Sequence, residues 1–231
     1  MTLRRHDFPD RHALAEALAD AAEVVLASAL QARGTAAIAV SGGTTPQTFF
    51  AALSARQLDW PRISVTLVDE RWVDESSDRS NARLVRNNLL IGAAAAARFR
   101  PLYTGAPSPD ASLRRLEQEL VDIFPFDVAV LGMGDDGHTA SFFPGGDQLS
   151  EALDQNGGHR LCAMRAPGAG EPRITWTLAA LLLSNSIYLH IEGAGKADVL
   201  QRAMQDGPVP EMPVRAILRQ DLRPVDIYWA P

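Results

Sequence analysis

Short apolar runs of strand length alternate with longer segments of helical period along almost the whole chain, and this alternation limits the fold more than any other feature. TAAIAV, ISVTLVD, FDVAVLG and SIYLHIE, with DIYWA near the end, are β-branched or uniformly apolar, as strands covered on both faces are. RHALAEALADAAEVVLASALQARG repeats apolar residues three and four apart and stops at Gly34, which predicts a helix closed by a C-terminal glycine. PQTFFAALSARQ, SNARLVRNNLL, DASLRRLEQELVDIF, ITWTLAALLLS and GKADVLQRAMQ read as further helices, most of them opened by Pro, Ser, Asp or Gly. This order predicts an α/β fold: a three-layer, mostly parallel, Rossmann-like sheet with active residues gathered at the carboxyl ends of its strands.

A chain of 231 residues, 46% of them hydrophobic, buries a sizeable core, and with no internal repeat or long linker residues 1–231 read as a single domain. The 22 Lys and Arg against 28 Asp and Glu leave a net charge of -6 without any basic block, so nucleic acid is not an expected partner. No apolar run approaches the roughly 18 residues of a membrane span, and the two N-terminal arginines are not followed by an apolar stretch, so a cytoplasmic protein is expected. Cys162 is the only cysteine, which leaves neither an internal disulfide nor a cysteine-based zinc site and suggests a buried structural thiol. His6, His12, His138, His159 and His190 never fall at an H-x-x-x-H spacing, so neither metal nor cofactor is expected.

Three loops after strands carry the chemistry. Ser41, Gly42, Gly43, Thr44 and Thr45 offer small side chains and backbone N–H groups, and Pro46 is placed to start a helix whose positive end points at the same spot: a phosphate cradle, or an ordinary strand-to-helix turn. Asp69, Glu70 and Arg71 end the run ISVTLVD beside Trp72, an indole that packs and holds its neighbours. The third loop, GMGDDGHTASFFPG from Gly132 to Gly145, contains a G-x-G-x-x-G match. As a dinucleotide fingerprint it fails, because Asp135 and Asp136 would meet a pyrophosphate and Pro144 leaves room for only a short helix. What remains is Asp136 two residues before His138, a pair suited to proton transfer.

Taken together, SGGTTP, DERWV followed by SN, GMGDDGHTASFFPG, and PRIT with GAGK resemble the 6-phosphogluconolactonases of the pentose phosphate pathway, from near residue 10 to the end. They belong to the family shared with glucosamine-6-phosphate deaminases, whose sheet this chain would adopt. The resemblance implies hydrolysis of 6-phospho-D-glucono-1,5-lactone to 6-phospho-D-gluconate. It implies phosphate binding by Ser41, Gly42, Gly43, Thr44 and Thr45 with Arg173 and Lys196, His138 as general base oriented by Asp136, and Arg71 at the developing oxyanion. Asp69 and Asn81 would line the sugar pocket. The implied partner is a small sugar-phosphate lactone, bound by a monomer or a weak dimer. Two rivals are a deaminase or isomerase of amino-sugar phosphates and a non-catalytic sugar-phosphate sensor. The deaminase pattern has a glutamate before the proline of the histidine motif and an aromatic residue after the acidic pair; here these are Phe143 and Arg71. A sensor would need an output module, and the whole chain is used by one sheet and its helices.

Overall fold

A computed structural model describes residues 3–231. In chain order its elements are β1 (Leu3–Asp7), α1 (Arg11–Arg33), β2 (Ala36–Val40), α2 (Gln47–Ser54), β3 (Ile63–Leu67), β4 (Asp69–Arg71), α3 (Asn81–Asn88), β5 (Arg98–Arg100) and α4 (Leu113–Glu119). There follow β6 (Val128–Leu131), α5 (Leu149–Ala152), β7 (Leu161–Met164), β8 (Arg173–Trp176), α6 (Leu178–Leu181), β9 (Ser186–Glu192), α7 (Ala194–Met204), α8 (Val214–Arg219) and β10 (Val225–Ala230).

Seven strands form a central sheet in the order β1-β10-β9-β6-β2-β3-β5. Every pairing in it is parallel. The inner strands β2, β3 and β6 are buried at every position, so their continuous apolar sequences suit strands covered on both faces. Helix α1 begins at Asp10, whose carboxylate accepts from the Ala13 amide, and ends at Gly34 in the left-handed region (φ 78°). Its buried stripe of Leu14, Leu18 and Leu26 packs onto the sheet and α2; truncating any one of them to Ala should cost about 2–5 kcal/mol.

A second, antiparallel sheet in the order β4-β8-β7 stands over the carboxyl edge of the first. It corrects the reading of ITWTLAALLLS as a helix: Arg173–Trp176 is a strand, and only Leu178–Leu181 is helical. Ile174, Thr175 and Trp176 are β-branched or aromatic, and β4 and β7 supply partners on both sides. Thr177 then caps the short helix, its hydroxyl accepting from the Ala180 amide. The remaining strands not anticipated from the sequence, β1, β4, β5 and β7, are three to five residues long, and β1 and β5 lie at sheet edges, where no two-sided apolar pattern is imposed.

Cys162 is buried, and burial pushes its thiol up to about 12, in keeping with an inert structural role. No described helix is long and apolar enough to cross a membrane.

Candidate active site

The carboxyl ends of β2, β3, β6 and β9 open into a cavity of about 390 Å³. Of the residues singled out in the sequence, Ser41 to Thr45, Asp69, Arg71, Asn81, His138, Arg173 and Lys196 all line it. Asp136 does not; it stands behind His138.

The loop after β2 is anchored by the Ser41 amide on the Val130 carbonyl, and the amides of Gly42, Gly43, Thr44 and Thr45 make no backbone hydrogen bond among the described residues. With the start of α2 immediately behind, they form a concave set of N–H donors suited to an anion. The Asn81 side chain lies close against this loop at Gly42. Its amide donates to the Asp69 carbonyl, and a Cβ at position 42 would lie 1.8 Å from its Oδ1, so only glycine fits there.

Glu70 explains why Asn81 is so placed. Its buried carboxylate accepts from the amides of Arg71, Asn81 and Ala82 and from the Ser80 hydroxyl, tying β4 to the start of α3. Burial pushes its pKa above the usual carboxylate range, the three amides oppose the rise, and Asp69 adds to it. Glu70→Ala should therefore lower folding stability by about 2–4 kcal/mol in a denaturant titration, because three amides, those of Asn81 and Ala82 buried, lose their acceptor.

In the loop after β6, His138 Nδ1 lies 2.6 Å from Asp136 Oδ1, which also accepts from the His138 amide. A carboxylate cannot donate, so Nδ1 carries the ring proton and Nε2 keeps its lone pair. Burial raises the Asp136 pKa, but the hydrogen bond and charge of His138 outweigh it and hold the carboxyl below its usual value. A Cβ at Gly134 would fall 2.1 Å from His138 Nδ1, so the close turn requires glycine. The imidazole lies on Phe143, ring centroids 4.2 Å apart.

Antiparallel pairing of β4 with β8 places Arg71 directly opposite Arg173. Like charges in this position repel, and the arrangement suits an anionic ligand between them. Arg71 Nη1 donates to the Arg79 carbonyl and Arg173 Nη2 to the Ala169 carbonyl, while the buried Nε of each has no acceptor among the described residues. The Arg173 guanidinium lies over Phe143 at 5.2 Å and 3.9 Å from Asp69 Oδ2. Burial lowers its pKa, with Asp69 acting against the shift and Arg71 with it. Asp69 itself accepts from the Ser141 hydroxyl at 2.5 Å, so its carboxylate is already engaged and acts on the site through Arg173. Lys196, in the first turn of α7, meets Asp135 at 2.7 Å.

Sequence reasoning missed His190, which also lines the cavity. The available signal was a titratable residue near the carboxyl end of the otherwise apolar run SIYLHIE. Phe143, read only as a missing acid, is a wall that touches both the histidine and the guanidinium. No group of three or more His, Cys, Asp or Glu side chains among the described residues is placed to hold a metal ion.

Comparison with known proteins identifies the family of the chain. The family model described as glucosamine-6-phosphate isomerases/6-phosphogluconolactonase matches residues 9–229. A 6-phosphogluconolactonase of Rhizobium meliloti (strain 1021) is 52% identical over 232 residues, covering 100% of both chains. One from Mesorhizobium japonicum is 51% identical, over 97% of this chain and 94% of its own. The crystal structure of a 6-phosphogluconolactonase from Shewanella baltica superposes with a TM-score of 0.96 at 40% identity, covering 100% of this chain and 98% of that one. The chain belongs to the glucosamine-6-phosphate isomerase/6-phosphogluconolactonase family.

Proposed function

We propose that this chain, acting as a single domain, hydrolyses 6-phospho-D-glucono-1,5-lactone to 6-phospho-D-gluconate. The observation that carries the reading is the convergence, in one cavity, of an Asp-oriented imidazole with two facing guanidinium groups whose buried Nε atoms have no acceptor among the described residues. The names of the relatives agree with it.

In this mechanism the phosphate rests on the amides of Gly42 to Thr45, with Arg173 and Lys196 closing on it; Lys196 exchanges Asp135 for the ligand. His138 Nε2 takes a proton from the water that attacks the lactone carbonyl, and Asp136 stabilises the imidazolium as it forms. The carbonyl oxygen becomes an oxyanion beside Arg71, whose fixed charge in a partly dry site favours that charge over the neutral ester. When the tetrahedral intermediate collapses, the ring oxygen leaves and receives the proton from His138, giving the open-chain acid. Since a δ-lactone is an activated ester, no covalent intermediate on Ser41 or Ser141 is required, and the Ser141 hydroxyl is committed to Asp69.

The deaminase alternative meets Phe143, which cannot exchange protons, packed against the catalytic imidazole. Purified protein should therefore hasten hydrolysis of freshly made 6-phosphogluconolactone over its spontaneous rate and release no ammonia from glucosamine 6-phosphate. Steady ammonia release at ordinary enzymatic turnover would overturn the assignment.

A further inference from the structure

His190 is almost fully buried, at 2% exposure, yet its side chain borders the cavity beside Lys196 and the loop after β2. It stands on β9, one step past the register pair Leu131 and Leu189, which sets it alongside Gly132 on the neighbouring strand. Gly132 brings no side chain between the imidazole and the cavity it also lines. The ring meets Phe49 of α2 edge-on, centroids 6.1 Å apart, so it packs against the helix whose start forms the cradle. Its Nε2 lies 3.0 Å from Glu192 Oε1, and Arg11 meets the other carboxylate oxygen at 3.4 Å. The carboxylate accepts from Nε2–H, which leaves Nδ1 without a protein partner among the described residues.

A buried histidine held by the Glu192 carboxylate, lining the same cavity as the anion cradle and with its remaining nitrogen uncommitted among the described residues, is more than a packing residue. We propose that His190 is a further substrate-contacting residue, hydrogen-bonded through Nδ1 to the phosphate, and that Glu192 is its positioning residue. The inference rests on the phosphorylated-lactone reading above. The bond forms in either protonation state: a phosphate monoanion donates its P–OH to Nδ1, and the dianion accepts from a protonated Nδ1, the same proton being shared in both. The contact would favour the phosphorylated lactone without touching the reacting carbonyl.

The test has two arms. In wild-type protein labelled with ¹⁵N at histidine, with ring signals connected to their own backbones, titration with inorganic phosphate should move the His190 Nδ1 signal with saturation. Kinetically, His190→Gln should raise KM for 6-phosphogluconolactone by about 5- to 20-fold while kcat changes less than about threefold, with unphosphorylated gluconolactone indifferent to the change. Glu192→Gln should act in the same sense but more weakly, and the double variant should be no worse than His190→Gln alone. A His190 signal unmoved by saturating phosphate, or equal losses with both lactones, would overturn the proposal and leave His190 as part of the cavity wall. A protein that hydrolyses neither lactone would instead sink the proposed function, and the phosphate titration would still decide this contact.

Discussion

His138→Asn should lower kcat for the phosphorylated lactone by about 10² to 10⁴, after correction for spontaneous opening, and leave product binding nearly unchanged. Asparagine keeps a polar group on Phe143 but cannot accept a proton from water near neutral pH. The pairing with His138 holds the Asp136 carboxyl below the ordinary carboxylate range, against the rise that burial alone would cause. Asp136→Asn should slow the reaction, since the carboxylate that holds Nδ1–H and stabilises the imidazolium as it forms is gone. The pairing also bears on folding: a depressed carboxyl pKa adds stability present above the unfolded value and lost as pH falls through the folded one. With the Asp136 side chain 42% exposed, that contribution is small. A His138→Asn protein that is folded by circular dichroism and keeps most of its corrected kcat would show that another group activates the water.

Arg173→Ala should raise KM for 6-phosphogluconolactone by about 10- to 100-fold, the loss expected of a charge-assisted contact to phosphate. Unphosphorylated gluconolactone should be a poor substrate for the wild type and almost indifferent to the change. Folding should suffer little from lost charge pairing, because Asp69 is 3.9 Å away and keeps its bond from Ser141. Lost packing against Phe143 is the larger structural effect, so Arg173→Met, which retains the apolar stem, separates the two: it should recover stability but not KM. Equal losses on both lactones would place Arg173 in the chemistry or the fold instead of the phosphate site.

Much of this protein is local and therefore readable along the chain. The strands at the centre of the sheet are apolar on both faces, helix α1 carries its own cap at Asp10 and its own stop at Gly34, and the Asp136–His138 pair sits within one turn. Each depends on neighbours a few residues away, so residue order alone is enough to announce it. The small antiparallel sheet is different. Asp69–Arg71 and Arg173–Trp176 are each too short to declare a strand, and the second carries a helix start close behind it; they become strands because the fold brings them side by side. That pairing sets Arg71 against Arg173, commits Asp69 to Ser141, and aims Glu70 at the start of α3. The same holds for His190, an unremarkable member of an apolar run until β9 takes its place beside β6 and carries the imidazole to the cavity. Sequence patterning reports which residues must be buried or must turn; which charges face one another across that cavity follows from strand pairings between distant segments, and those exist only once the chain has folded.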